Sequence, residues 1–341
     1  MELKRIAIGT SKHVFTLHGV DAHDRAVLRR EVKRAQLEPF FGKLPPTEVV
    51  LEACGGSHHW GRFLSTLGHT VKLIPPQYVK PFVKRGKNDR NDAEAINEAA
   101  SRPAMRFVPV KSAAQQAGTM ILKTRELLVR QRTQLINAVR GHAGEFGVIA
   151  AKGTASVDTL LERVAADDTL PEEAREMIVL LSQQIKDLDV RITALETRMK
   201  QAHKANPVSR LLEGIPGIGP IGALSLALTV DPAQFRSGRH FAAWLGLTPK
   251  ERSTGGKQRM GGISRAGDER LRHLLVIGAT AVIRHVKPGS RNASAWLLSL
   301  LERRPRKVVA VALANKMARV VWAMMTSGEA WRGTRSAPLV G

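Results

Sequence analysis

The chain has a single cysteine, Cys54, in 341 residues. No intramolecular disulfide can form, so the fold must rest on packing, and a reducing cytoplasm is the expected setting. Cys54 sits in VVLEACGG, where the apolar run predicts a small buried side chain rather than a nucleophile. Aromatic residues are 4% of the chain, too few for nucleic-acid binding by stacking bases on aromatic platforms. Acids are scarce as well: 30 Asp and Glu face 53 Lys and Arg, a formal charge of +23. An excess this large goes beyond what solubility asks and points to a polyanionic partner, nucleic acid first. No run of about 18 apolar residues and no signal-peptide pattern occurs, so no membrane partner is expected. CxxC, HExxH and Walker A patterns are absent, which leaves zinc and nucleotide-hydrolase readings without support.

What is present predicts an α/β fold followed by an all-α region. Strands are expected at 4–9, 13–20, 26–32, 47–53 and 70–76, with helices at 34–43, 58–67 and 78–85 and one starting near Asn91. Three strands joined by tight turns, then alternating helices and strands, predict a mixed sheet. Residues 112–147 read as helix and 148–158 as a linker. From 172 to 205, Met177, Leu181, Ile185, Leu188, Ile192, Leu195 and Met199 step by three and four, a heptad-like seam. Either an ordinary amphipathic helix or a coiled-coil arm between subunits fits it. The expected division is 1–110, a helical connector over 111–207, and a mostly helical unit over 208–341.

Three constellations carry chemistry. Glu52 ends a predicted central strand, the edge where ligands gather in such sheets. Asp89 and Asp92 lie three apart at a helix start and share a face. Together they suit Mg²⁺, a hard cation that wants oxygen ligands; helix capping by the same residues is the bland alternative. Second, LLEGIPGIGPIGALSLAL (211–228) resembles a helix-hairpin-helix, with Gly217 and Gly219 letting the backbone approach a phosphate; a plain tight turn is the alternative. Third, in GLTPKERSTGGKQRMGGISRAGDERLR (246–272), Ser253 and Thr254 stand among Lys250, Arg252, Lys257, Arg259, Arg265, Arg270 and Arg272. Hydroxyls beside cations suit a phosphoryl-transfer nucleophile, or simply a basic loop that grips phosphates. Over 250–291, ten Lys and Arg face three acids.

The blocks LEACGGSHHW, LIPPQYVKPFVKRGKNDRNDAEAI, GIPGIGPIGALS and WLGLTPKERSTGGKQRMGGISRAGDERLRHLL, in this order, resemble the DEDD-type transposases of bacterial insertion sequences. The likeness is to the one-ten family and its eleven-eleven subgroup. It implies a RuvC-like domain of ribonuclease H fold, a connector with a coiled coil, and a C-terminal transposase domain. It further implies recombination of donor and target DNA, guided by a non-coding RNA from the element. Oligomers, tetramers in order, are implied, with Mg²⁺ on the acids and a serine that links covalently to DNA. Glu52, Asp89 and Asp92 match the second, third and fourth acids. Gly9, in Ile8-Gly9-Thr10, stands where the first is expected. The family's serine precedes a glycine; that place is Thr254, with Ser253 one residue earlier. Two rivals follow: a catalytically impaired copy that binds RNA and DNA, and a RuvC-like junction resolvase.

The charge predicts that nucleic-acid affinity drops by about a thousandfold or more between about 50 and 200 mM salt. A flat response in a filter-binding titration would remove the phosphate-gripping argument.

Overall fold

A computed structural model describes residues 3–84, 88–151, 153, 156–287 and 294–331. Arg291 and residues 86–87 of the GKNDR loop lie outside the described residues. The chain divides into two compact units, Met1–Gln116 and Ala117–Gly341.

The first unit is built on β1 (Arg5–Gly9), β2 (Val14–Val20), β3 (Ala26–Lys33), β4 (Glu48–Glu52) and β5 (Thr70–Ile74). Their spatial order is β3-β2-β1-β4-β5. The first three form an antiparallel meander, while β4 and β5 run parallel to β1. Helices cover both faces, which is why the central strands read as nearly continuous apolar runs. Ile6, Ile8, Val49 and Leu51 point to the face holding α1 (Leu37–Phe41) and α2 (Ser57–Thr66). Ala7, Val50 and Ile74 point the other way, against Ala95, Ile96 and Ala99 of α4 (Asp89–Ala100). The mixed sheet is as expected. The basic helix expected at 78–85 begins earlier, as α3 (Pro76–Val79), because Pro76 has the φ of a first helical residue and needs no donor there.

The second unit opens on α5 (Ala113–Glu145), α6 (Val157–Ala165) and α7 (Glu172–Ala205). On α7, Ile178, Ile185, Ile192 and Met199 are buried, a repeat of seven. The expected seam shifts by one at its start: Met177 is 53% exposed and Ile178 takes its place. Arg125 donates to Glu196 at 2.8 Å and Arg132 pairs with Asp189, so α5 and α7 run antiparallel. Helix α6 went unassigned in the sequence, yet its Val157, Leu160 and Val164 pack with Ile178 and Ile185.

The remainder comprises α8 (Pro207–Glu213), α9 (Pro220–Thr229), α10 (Gly238–Trp244), a hairpin of β6 (Pro249–Glu251) and β7 (Met260–Ile263), α11 (Glu269–His285), α12 (Ala295–Arg303) and α13 (Arg306–Ser327). Helix α13 is long and apolar enough to cross a membrane by length and composition. Here it is a core spine: Ala314, Met317 and Val321 pack with Phe241, Leu271 and Leu275.

Helix α11 and the turn before α9 meet backbone to backbone. A Cβ on Gly278 would lie 2.0 Å from the Gly217 carbonyl oxygen. Gly278→Ala should therefore cost about 1–3 kcal/mol, read as a lower denaturant midpoint at unchanged slope. A variant as stable as the parent would mean that the turn and α11 do not touch.

Candidate active site and nucleic-acid interface

The parallel register Arg5↔Glu48 through Ile8↔Leu51 sets Gly9 beside Glu52 at the C-terminal edge of the sheet. Strand alternation puts both on the face of Ala7 and Val50, beneath the first turns of α4. Glu52 is half-buried. Burial, and then the charge of Asp92, push its carboxyl above the usual range. Asp92 is half-buried and Asp89 exposed. Neither caps α4: Asn88 does, its side chain accepting from the Asn91 N–H at 2.8 Å. The capping alternative therefore falls to Asn88 and leaves both aspartates for other work.

Among the described residues, no group of three or more His, Cys, Asp or Glu is placed to hold a metal ion. Glu52 and Asp92 interact; Asp89 is not drawn in with them. Burial is the larger cause of the raised Glu52 carboxyl and the like charge of Asp92 the smaller one. That donor set fits a hard divalent ion that keeps much of its water. Gly9 stands where the resemblance to DEDD-type transposases expects the first acid. A Cβ there would lie 3.4 Å from the Asp89 carbonyl oxygen and 3.6 Å from the Cβ atoms of Ala93 and Thr16, ordinary contacts. Its φ is not positive either, so neither packing nor backbone demands glycine. Cys54 corrects its expectation. It is exposed, because the chain turns sharply after β4, and its Sγ meets Thr10 Oγ1 at 3.0 Å.

In the second unit, Ser253 and Thr254 lie on the exposed end of the β6–β7 hairpin. Thr254 and Lys257 exchange backbone hydrogen bonds of 3.3 and 3.0 Å. Gly255 and Gly256 between them have φ of 54° and 75°, as a two-residue hairpin turn of this hand requires. That turn pins the register, and a slip of one residue would turn every side chain over. Ser253 and Thr254 consequently point to opposite faces. Ser253 Oγ accepts from the Arg259 N–H at 3.2 Å.

Lys250, Arg252, Lys257, Arg259 and Arg265 are exposed. Arg270 is half-buried and donates to Thr229 Oγ1 at 3.0 Å. Arg272 departs from its expected role. It is buried, and its guanidinium donates to the carbonyls of Leu245 at 3.0 Å and Ala266 at 2.8 Å. It braces the hairpin's base from inside and offers nothing to a phosphate.

At the helix-hairpin-helix segment, the missing side chain of Gly217 serves the contact with α11. Gly219 precedes Pro220 as the N-cap of α9 and has open space where a Cβ would be. The sequence reading missed a polar brace beside it. His203 bonds Ser209 Oγ at 2.8 Å and Glu213 Oε2 at 3.0 Å. Ser209 is fully buried, so this trio holds α7 to α8 and is no nucleophile.

Residues 209–295 match the model of the transposase IS116/IS110/IS902 family, and residues 6–146 match a DEDD transposase model of IS110 type. The chain is similar to the transposase-named product y4pF/y4sB of Sinorhizobium fredii: 56% identity over 97% of this chain and 86% of that protein. It is 40% identical to the transposase for insertion sequence element IS1111A of Coxiella burnetii, over 97% and 92% of the two chains. The transposase for IS1328 of Yersinia enterocolitica is 39% identical, over 95% and 97%.

The acid edge makes a metal prediction. A cation present at about ten times its Kd stabilises by about 1.4 kcal/mol; Mg²⁺ at such a level should raise the melting temperature by a few degrees. Asp92→Asn should abolish the rise and Gly9→Asp should enlarge it. For Glu52, a raised carboxyl pKa means that stability is lost as pH rises through the native value. Glu52→Gln should consequently stabilise the metal-free protein at neutral pH while removing the Mg²⁺ response. A Mg²⁺ shift indifferent to all three substitutions would place the ion elsewhere.

Proposed function

The chain belongs to the IS116/IS110/IS902 family of transposases, and on that premise we propose that it recombines DNA by a covalent, Mg²⁺-assisted strand exchange directed by a guide RNA. That it is an insertion-sequence transposase acting on DNA follows from the family. The chemistry and the guide are the proposal.

The observation that carries it is the hairpin: two exposed hydroxyls among five exposed cations, on a register that the paired glycines hold still. The hydroxyl oxygen of Ser253 attacks a DNA phosphorus. A bond from Ser253 to phosphorus forms and a phosphorus–oxygen bond of the strand breaks; the proton lost by the serine is relayed through water to the leaving oxygen, which departs as an alcohol. Lys250, Arg252, Lys257 and Arg259 stabilise the charge that grows on the phosphoryl oxygens. Thr254, on the opposite face and bearing an extra methyl, is the second candidate. Glu52 and Asp92, with Asp89 at the rim, would hold Mg²⁺, which when bound activates water and steadies a leaving oxygen. The α5–α7 pair, with its repeat of seven, suits a coiled-coil connector between 111 and 207, and a tetramer suits a reaction joining donor to target. The positive charge favours holding both RNA and DNA by their phosphates. A cytoplasmic setting accords with this substrate.

Gly9 favours a second reading, a copy that binds RNA and DNA but exchanges strands weakly, because one anionic ligand is missing where the packing has room for it.

Incubation with element-derived RNA and cognate donor and target DNA should yield a protein–DNA adduct on a denaturing gel. Ser253→Ala should remove it, whereas Thr254→Ala should retain it. An adduct that survives both changes would overturn the nucleophile assignment. No adduct, with binding of both nucleic acids intact, would favour the impaired copy.

A further inference from the structure

Strand β2 carries a histidine, His18, that is 7% exposed. Its neighbours determine where its proton sits. Arg5 has only donors, and its Nη1 donates to Asn97 Oδ1 at 3.1 Å. This orients the amide, so that Asn97 Nδ2 faces His18. It donates to the His18 carbonyl oxygen at 2.9 Å and lies 3.2 Å from Nδ1. Nδ1 must therefore accept, and the ring proton is on Nε2. Burial first, against the opposing pull of Glu94, holds the ring below the usual histidine range and hence neutral. Among the described residues, Nε2 is a buried donor with no acceptor. Such a group is costly if nothing pairs with it, and its persistence needs an explanation.

His18 lines a cavity of about 470 Å³ between α4 and the β2–β3 pair, and also a neighbouring one of about 190 Å³. Arg29 and Arg90 stand at the rim of the larger one. Among the described residues each is tied by one long ion pair: Arg29 to half-buried Glu94 at 4.0 Å and Arg90 to exposed Glu31 at 3.4 Å. Long pairs of solvent-facing guanidiniums hold weakly, so an anion within reach of both can take them. Glu94 keeps a nearer partner in Lys84, at 2.6 Å. Thr16 also lines the cavity, and it sits opposite Gly9 in the β1–β2 ladder. The cavity therefore adjoins the acid edge.

We propose that this cavity seats a backbone phosphate of a single-stranded nucleic acid, gripped by Arg29 and Arg90 at the rim, and that the His18 ring turns on binding so that its Nε2–H, closed to solvent in the free protein, donates to a phosphate oxygen. The volume admits one phosphate with its sugar and excludes a duplex. A strand held here runs on toward Glu52 and Asp92. Arg5 and Asn97 are positioning residues: they keep the proton on the nitrogen that needs it. The proposal rests on the family reading for its class of partner, and not on the covalent step.

The test uses the full chain with ¹⁵N-labelled histidines, titrated with a single-stranded hexanucleotide of RNA and, separately, its DNA counterpart. The His18 Nε2–H resonance, identified by its loss in His18→Phe, should move on addition of the probe. Whichever arm moves it names the source of the phosphate; movement in both means that the shared backbone is read. His18→Phe keeps a flat aromatic ring and removes both ring nitrogens, while Asn97 Nδ2 keeps its bond to the carbonyl oxygen of residue 18; it should weaken hexanucleotide binding about tenfold while the melting temperature holds or rises. A merely structural histidine would lower the melting temperature and leave binding alone. The double change Arg29→Gln with Arg90→Gln, both exposed, should weaken binding comparably without touching the fold. A resonance unmoved at saturating probe in both arms, or binding by both variant proteins within twofold of the parent, overturns the proposal. If adduct formation stays intact in that case, the strand-exchange chemistry stands without this cavity.

Discussion

The parallel pairing of β1 with β4 is the constraint on which the first unit depends. Its register brings Gly9 and Glu52 side by side at one edge. At the other end it brings Arg5 against Glu48, with Arg5 Nε donating to Glu48 Oε1 at 2.8 Å. Glu48 is kept ionised there despite burial, because Lys72 and Arg5 both bond it. Arg5 reaches on to Asn97 of α4, so one buried guanidinium ties β1, β4 and α4 together. Removing a partner from such a group leaves a charge without compensation, which is why these residues act as one clamp. The clamp sets the height of α4 on the sheet. That height in turn decides that Asp92 falls within electrostatic reach of Glu52.

The two ends of this face are opposites in electrostatic terms. At the Arg5 end every buried charge has a partner of opposite sign. At the Gly9 end the charge of Asp92 acts on Glu52 with the same sign, and among the described residues neither is in an ion pair. Like charges at a strand edge suit the proposed cation, because oxygen ligands of this kind are what a hard divalent ion takes. The second unit works differently. Its exposed cations ride on a two-stranded hairpin whose shape comes from paired glycines, and its buried Arg272 ties the hairpin's base to the core. Rigid placement of a hydroxyl among cations is what positional catalysis needs.

Much of the fold was legible because strand alternation and apolar runs translate directly into a sheet. The residues VVLEA and TVKLI announce central strands, and Pro75-Pro76 announces the end of one. The heptad repeat was legible too, yet its start was misplaced at Met177. Periodicity gives the spacing of a stripe, and only a partner helix decides which neighbouring residue opens it. Helix α6 was missed because nine residues bounded by small residues carry too little period to stand out. Cys54 was misread because an apolar run does not reveal where the chain turns out of the sheet. Arg272 was misread because charge alone does not say whether a guanidinium meets solvent or carbonyl oxygens.

The sequence by itself determined the class of partner, through a charge of +23, and named the acids, the hydroxyls and the gap at Gly9. The charge, the acids and the hydroxyls follow from composition and local spacing, and the gap at Gly9 from the resemblance to DEDD-type transposases; none of these needs a tertiary contact to be read. Only the tertiary structure decided that Asn88 and not an aspartate caps α4, that Ser253 and Thr254 face apart, and that the His18 proton sits on Nε2. Each of those depends on groups far apart in the chain, or on a turn that fixes register. Hydrogen bonds such as Arg5 to Asn97, 92 residues away, exist only once folding has brought their partners together.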